Sequence, residues 1–209
     1  MAVESTFKNM VITLSVVCLV ASAVLGGVYS LTKQPIEAAQ IAKINNAIGG
    51  VVPAFDNDPS AEKFVVEVDG KSSTIYPAKK EGKVVGYAVE AFTTKGFSGR
   101  IVLMVGFNLV GEIVNTAVIS HSETPGLGAK IADKAQGFVT QFEGKNPGDP
   151  NFKFSVKKDG GDLDAITAST ITSRAFVDAV ENAYNAFLKA REQNAEQNEN
   201  TNMGGLNNE

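Results

Sequence analysis

The sequence predicts an α+β protein, in which a single N-terminal transmembrane helix precedes one domain built mainly on an antiparallel sheet with flanking helices. Three observations support this class. An uncharged, mostly apolar run extends from Met10 to Leu31, and short β-branched segments separated by turn residues fill residues 64–120. A periodic segment from Ser173 to Lys189 has one broad apolar face. With 209 residues, 44% hydrophobic and 20% charged, the chain is long enough for one packed domain.

The run from Met10 to Leu31 has the length of a membrane span. At about 1.5 Å per residue it covers roughly 30 Å, the thickness of the hydrocarbon core of a bilayer. A cleavable signal peptide has a shorter apolar region of about 7–15 residues, and apolarity on every face argues against a buried core helix. We therefore expect a retained anchor over residues 10–31, after an N-terminal segment of residues 1–9. Lys8 and Lys33 flank the run and leave its orientation undetermined.

The rest of the chain divides into a linking helix, one domain and a tail. Apolar residues at helical spacing between Gln34 and Ile48, with Pro35 suited to a first turn, predict a linking helix within residues 32–53. The domain is expected over residues 54–191. Residues 192–209 are mostly Gln, Asn and Glu, with almost no apolar content, which predicts a disordered polar tail.

Within the domain, alternation and turn residues predict six strands, a loop from Thr94 to Arg100 and two helices. The second strand is expected to stop at Pro77, which cannot donate a ladder hydrogen bond. The predicted strands are Phe64–Val68, Ser73–Tyr76, Val84–Phe92, Ile101–Phe107, Glu112–Ser120 and Phe152–Val156. The predicted helices are Ile131–Phe142 and Ser173–Lys189.

Composition excludes several kinds of chemistry. Cys18 is the only cysteine and lies in the apolar run, so the domain has no thiol for catalysis, zinc or an iron–sulfur cluster. His121 is the only histidine, so we expect no metal site and no haem site built on several histidines. The net charge of −4 and the lack of a Lys/Arg block argue against a nucleic-acid partner.

Hydroxyl side chains crowd the approach to the last helix, in the stretch Asp164-Ala165-Ile166-Thr167-Ala168-Ser169-Thr170-Ile171-Thr172-Ser173. A helix that begins near Thr172 or Ser173 presents unpaired N–H groups and the positive end of its dipole, which favour a phosphate. Ser and Thr are also the preferred N-cap residues. From these residues alone, capping and phosphate binding both remain open, and capping is the commoner role.

The segment from Asp164 to Thr170 resembles the flavinylation motif of the FMN-binding domain of RnfG and NqrC. These proteins belong to the Rnf ferredoxin:NAD⁺ oxidoreductase and to the sodium-pumping NADH:quinone reductase. The family pattern is Asp, two variable residues, Ser or Thr, usually Gly-Ala, and the acceptor Thr, often followed by a variable residue and Thr-Ser. Here Ala168-Ser169 replaces Gly-Ala. The segment Glu123-Thr124-Pro125-Gly126-Leu127-Gly128 is similar to a second family motif, and the compact length is closer to RnfG.

The resemblance implies FMN bound covalently as a phosphoester on Thr170. A flavin transferase would move it there from FAD and would require Asp164. No residue is expected to be catalytic. The resemblance and the approach to the helix together give the expected cofactor contacts, which are Glu123, Thr124, Gly126, Leu127, Gly128, Thr167, Ser169 and Thr172.

The resemblance further implies an electron-transfer subunit of a membrane-bound Rnf complex, a translocase that couples ferredoxin/NAD⁺ redox chemistry to ion translocation. The other membrane subunits would be its partners, and the isolated chain would have no independent catalysis. We expect a single pass through the inner (cytoplasmic) membrane, with residues 1–9 in the cytoplasm and the flavin domain on the periplasmic or extracytoplasmic side. Two alternatives remain: the equivalent NqrC protein of the sodium-pumping reductase, and a non-redox membrane-anchored binding module.

Overall fold

The computed structural model describes the backbone of residues 6–205 and the side chains of residues 6–194. The chain divides into two compact units at the boundary between Lys43 and Ile44. The elements, in chain order, are α1 (Phe7–Val51), β1 (Phe64–Val68), β2 (Lys71–Lys80), β3 (Lys83–Gly96), β4 (Gly99–Asn108), β5 (Ile113–Ser120), four short 3-10 helices between Gly128 and Asp159, and α2 (Thr170–Gly205). This is the predicted α+β class.

The first unit is the N-terminal part of α1, whose apolar side chains are exposed. An 18-residue stretch of this helix has a mean hydropathy of 2.5 and no buried residue, so by length and composition the helix is able to span a membrane. The structure joins the predicted span and the predicted linking helix into one helix, so Pro35 lies in a helix interior and not in the predicted first turn. A proline removes one N–H from the helical ladder, and the alanine-rich residues that follow Pro35 are good helix formers.

The second unit is organised on a five-stranded antiparallel sheet with strand order β1-β2-β3-β4-β5. Two-residue turns join the first strands, at Asp69-Gly70 and Glu81-Gly82. All four of these turn residues have positive φ, between 50° and 76°. Such turns match the right-handed twist of the strands they connect.

Strand β2 is longer than predicted because Pro77 lies at an open edge. The ladder to β1 reaches only Ile75, and beyond it no strand needs the missing proline N–H. The side chain of Asn57 replaces the strand there. Its Nδ2 donates to the carbonyl of Pro77 at 3.0 Å, and its Oδ1 accepts the N–H of Lys79 at 2.8 Å.

Strands β3 and β4 are also longer than predicted, so the expected loop from Thr94 to Arg100 is wrong. The strands pair as far as Gly96 and Gly99, which leaves only Phe97 and Ser98 in the connection. The two glycines permit this close approach, since a Cβ on Gly96 would lie 2.3 Å from the Gly99 carbonyl oxygen.

The segment between β5 and α2 is the least regular part of the domain. The predicted helix Ile131–Phe142 is instead divided among the short 3-10 helices Gly128–Ala132, Lys134–Gln136 and Thr140–Phe142. Gly137 interrupts it with a left-handed φ of 74°. The predicted strand Phe152–Val156 is wrong as well, because Val156 pairs only with Leu163, in an isolated bridge.

Helix α2 covers one face of the sheet with the apolar residues that its periodicity predicts. Phe176, Val180, Ala183 and Phe187 are fully buried, and the ring of Phe187 stacks on Phe107 of β4 with centroids 4.9 Å apart. Burial of each such large side chain contributes about 1.5–3 kcal/mol. The helix thereby fixes where its N-terminal turn lies against the sheet.

Helix α2 runs on to Gly205, into the segment predicted to be disordered, and residues 206–209 lie outside the described residues. Extending a packed helix needs no new nucleus, and the Glu, Gln and Ala of this segment are good helix formers.

The last turns of α1, which belong to the second unit, pack on the opposite face of the sheet. Ile48 and Val51 are buried there against Tyr76 and Met104. The contact is close because Gly106 lacks a side chain, and a Cβ at this position would lie 1.7 Å from the carbonyl oxygen of Val51. The sheet is therefore covered by a helix on each face.

Candidate functional site

The loop after β5 and the first turn of α2 meet at a cleft of about 300 Å³. Seven residues expected at the site line it: Glu123, Thr124, Leu127, Gly128, Ser169, Thr170 and Thr172. The two motifs are far apart in the chain, and the fold brings them together. Phe97, Ala168 and Ile171 complete the lining. Phe97 was not expected here, because its hairpin was predicted to be an open loop.

The buried carboxylate of Glu123 joins the three elements that surround the cleft. The Thr172 hydroxyl donates to Glu123 Oε2 at 2.6 Å, and the backbone N–H of Ser98 donates to Oε1 at 3.0 Å. Glu123 is only 5% exposed and Thr172 only 1%. Hydrogen bonds to a charged group contribute about 1.5–3 kcal/mol each, so Glu123 fastens the loop to both the β3–β4 hairpin and α2.

Two glycines make room for this carboxylate. A Cβ on Gly128 would lie 2.5 Å from Glu123 Oε2 and 2.8 Å from the Thr172 hydroxyl. On the other side, a Cβ on Gly96 would lie 2.7 Å from Glu123 Oε1. Gly126 acts on the backbone instead, because its φ of 76° allows the turn in which Thr124 O accepts the N–H groups of Leu127 and Ala129.

Helix α2 begins at Thr170, two to three residues before the predicted start at Thr172 or Ser173. The carbonyl of Ser169 accepts the N–H of Ser173 at 3.0 Å, which is the first helical hydrogen bond. The buried hydroxyl of Ser173 donates to Ser169 O at 3.0 Å and accepts the N–H of Ile166 at 2.9 Å. Ser173 thus supports the turn before the helix from inside.

The hydroxyl of Thr170 contacts a lysine. Lys158 Nζ donates to Thr170 Oγ1 at 2.9 Å. This lysine belongs to the 3-10 helix Lys157–Asp159, hereafter the lysine turn. Nothing in its spacing from Thr170 marks the pairing, because the contact forms only when the segment folds back onto α2.

The turn before α2 is strained at Ala168. The N–H of Ser169 donates to Ile166 O at 3.0 Å, and within this turn Ala168 has a φ of 61°. An L-residue other than glycine is disfavoured in this left-handed region by about 1–2 kcal/mol. Ala168 occupies the position at which the flavinylation pattern usually has Gly, and the structure supplies the physical reason for that preference.

Asp164 and Thr167 lie outside the cleft that contains Thr170. Both line a neighbouring cleft of about 380 Å³, together with Gln141. The side chain of Gln141 holds the backbone of Asp164 by accepting its N–H at 2.7 Å and donating to its carbonyl at 3.1 Å. The Asp164 carboxylate is 73% exposed and forms a salt bridge with Lys157 at 2.8 Å.

Charged side chains also fix the lysine turn to α2. Arg174 binds Asp159 in a two-point contact, with Nε at 2.7 Å from Oδ2 and the Nη2 nitrogen at 2.6 Å from Oδ1. The hydrogen bond from Arg174 holds the pKa of the Asp159 carboxyl below its ordinary value of 3.8. Within residues 6–194, no group of three or more His, Cys, Asp or Glu side chains is arranged to hold a metal ion.

The cleft residues fit a ligand with a phosphate end and an apolar ring end. Thr170 offers a half-buried hydroxyl at the N-terminus of a helix, beside a cation. Around the same cleft, large apolar side chains are exposed: Phe97 by 68%, Ile171 by 49% and Leu127 by 44%. Exposed apolar surface next to converging polar groups is typical of a small-molecule site.

The fold and the cleft agree with the similarity of this chain to known proteins. Residues 96–185 match the FMN-binding domain family, and this range contains both motifs. Over most of its length, the chain resembles proteins named as the G subunit of the ion-translocating oxidoreductase complex. It is 37% identical over 185 residues to that of Yersinia pestis (85% of this chain, 88% of the relative). It is 36% identical over 171 residues to that of Haemophilus influenzae strain PittEE (79% of this chain, 83% of the relative). The chain belongs to this G-subunit family.

Proposed function

We propose that this protein is the electron-transfer subunit of an ion-translocating oxidoreductase complex of the Rnf type and that it carries FMN as a phosphoester on Thr170. When bound, FMN supplies the redox chemistry, and the protein supplies binding and orientation. The main support for this proposal is the position of Thr170, whose hydroxyl lies at the N-terminus of α2, beside Lys158 and at a cleft with an apolar rim.

In this proposal, the two motifs hold opposite ends of the cofactor. The first turn of α2 offers N–H groups to the phosphate, and Ser169 and Thr170 lie at its start. Leu127 and Gly128 present the loop to the ring, with Phe97 and Ile171 on the rim. Glu123 and Thr172 act behind this surface, because their side chains are bound to each other and are almost completely buried.

The expected contacts therefore have different roles. Leu127, Gly128, Ser169 and Thr170 remain proposed cofactor contacts, and so does Thr124, which is exposed on the cleft. Glu123 and Thr172 become positioning residues of the cleft wall.

The other expected residues lie outside this cleft. Gly126 shapes the loop without lining the cleft. Thr167 lies beside Asp164 in the neighbouring cleft, where we propose that the transferase recognises the exposed Asp164 carboxylate.

The apolar part of α1 is proposed as the inner-membrane anchor that keeps the flavin domain beside the other subunits of the complex, on the extracytoplasmic side. Its exposed apolar surface and hydropathy support the anchor. A reporter enzyme that is active only outside the cytoplasm, fused at the C-terminus, tests the orientation. An inactive reporter on a stably expressed fusion would contradict it.

Peptide mass spectrometry of the protein coexpressed with its flavin transferase tests the attachment. We expect the peptide containing Thr170 to gain the mass of one FMN less one water. Thr170→Ala should abolish this gain and the flavin fluorescence that survives denaturation. Thr94→Ala, which removes another exposed threonine side chain, is the matched control and should retain both. An unmodified Thr170 peptide, or FMN on another residue, would refute the assignment.

A further inference from the structure

We infer that Lys158 is a positioning residue of the attachment site, which holds the hydroxyl of Thr170 before modification and pairs with the phosphate once the ester has formed. This inference rests on the proposed function, because it assumes FMN on Thr170. The lysine lies twelve residues before the acceptor, outside both motifs, and only the folded chain brings the two together.

The geometry gives Lys158 access to both states of the acceptor. Its Nζ lies 2.9 Å from Thr170 Oγ1 in the unmodified chain. In a phosphoester, the phosphorus is bonded to this same oxygen, and the two free phosphate oxygens are only two bonds away from it. An ammonium group has three donors on a flexible stem, so a small rotation brings it from the hydroxyl to a phosphate oxygen.

The modification changes the charge that Lys158 faces. In the transfer, Thr170 Oγ1 bonds to the flavin-side phosphorus of FAD, the pyrophosphate bond of FAD breaks, AMP leaves, and the hydroxyl proton is released. A neutral hydroxyl is thereby replaced by a phosphodiester with one negative charge. Charge-assisted hydrogen bonds are roughly twice as strong as neutral ones, so the contact should strengthen when the ester forms.

The neighbours of Lys158 already have partners, which leaves its charge available. Lys157 forms a salt bridge with Asp164, and Asp159 forms one with Arg174. Among the salt bridges of the described residues, none involves Lys158. The same two ion pairs fix the lysine turn at both ends, to the start of the motif and to the first turns of α2. Lys158 thus places a positive charge that forms no salt bridge beside the hydroxyl of Thr170.

The test compares the full-length protein before and after flavinylation, in detergent, with FAD and the transferase as reagents. The measured quantity is the increase in Tm that flavinylation produces, at low and at high salt. Lys158→Gln removes the charge, Lys158→Arg retains it, and Lys134→Gln removes an exposed lysine charge on a different 3-10 helix. A variant that only folds less stably should have a lower Tm both before and after flavinylation, so its increase in Tm stays the same. A variant that loses a contact with the phosphate should have a smaller increase.

We expect the increase in Tm to be smaller in Lys158→Gln than in the wild type by up to about 4 °C, the upper end for one exposed charge pair. The difference should shrink at high salt. Lys158→Arg and Lys134→Gln should behave like the wild type. FMN on Thr170 with an unchanged increase in Lys158→Gln would overturn this inference alone. Wild-type protein without FMN on Thr170 would overturn the proposed function and the inference with it.

Discussion

The hydrogen bond between Thr172 and Glu123 is expected to hold the wall of the cleft together. Thr172→Ala removes the hydroxyl that donates to Glu123 Oε2 at 2.6 Å. The carboxylate is 5% exposed, so little water reaches it to replace the lost donor. Only the N–H of Ser98 then remains of the two donors seen in the structure.

The magnitude follows from the charge and burial of the acceptor. Loss of a hydrogen bond to a buried charged group costs about 1.5–3 kcal/mol. In a domain of this size each kcal/mol lowers Tm by about 2–4 °C. Thr172→Ala should therefore melt roughly 3–12 °C below the wild type. Differential scanning calorimetry of the unmodified full-length protein in detergent measures this directly.

Thr172→Ser is the matched control, because it loses the same methyl group and keeps the hydroxyl. Because this methyl is buried, its loss costs about 0.8 kcal/mol, and we expect Thr172→Ser to melt roughly 2–3 °C below the wild type. The difference between the two variants then isolates the hydrogen bond. If Thr172→Ala and Thr172→Ser melt at the same temperature, the bond to Glu123 does not stabilise the wall, and the reasoning fails. Thr172→Ala should still accept FMN, since the acceptor oxygen is untouched.

Two further predictions concern strain and pH. Ala168→Gly should raise stability by about 1 kcal/mol in urea unfolding, because φ is 61°. Ala132→Gly is the control at an exposed position without positive φ, and it should lower the free energy of unfolding. Equal losses of stability in Ala168→Gly and Ala132→Gly would contradict strain at Ala168. Burial raises the pKa of the Asp178 carboxyl, but hydrogen bonds from Lys95 and Thr93 outweigh it, so the pKa lies below its ordinary 3.8. Asp178→Asn should therefore lower the free energy of unfolding most above pH 3.8 and progressively less as the pH falls below this value. Urea unfolding at several pH values measures this loss. A loss that does not change with pH would refute the coupling between the charge of Asp178 and stability.

Much of the fold was predictable wherever a local pattern had one structural meaning. The apolar face of α2 and the strand Phe64–Val68 follow from periodicity and are confirmed. The errors arose where a local signal is overridden by its surroundings. Pro77 ends a strand only if its missing N–H faces a neighbour, and here that edge is open. The helical spacing of Ile131–Phe142 places its apolar residues in the core, but Gly137 breaks the backbone between them.

The candidate site was predictable only in part. The two motifs and the residues Thr170, Glu123 and Gly128 came from the sequence, and the structure places them around one cleft. The sequence did not predict that Glu123 turns inward to Thr172, because burial of a carboxylate depends on donors from distant segments. It also did not predict Phe97 at the rim, since its pattern predicts a loop from Thr94 to Arg100 and not the hairpin that presents Phe97.

The stretch from Asp164 to Ser173 was determined by the sequence as the place where a helix N-terminus and hydroxyl groups coincide, because both are local properties of consecutive residues. Only the tertiary structure decided how those hydroxyls differ. Thr172 and Ser173 are buried and hydrogen-bonded within the domain, whereas the hydroxyl of Thr170 accepts a hydrogen bond from Lys158. The physical reason is that burial and charge pairing are set by segments remote in the chain, and their positions exist only once the sheet and α2 have packed.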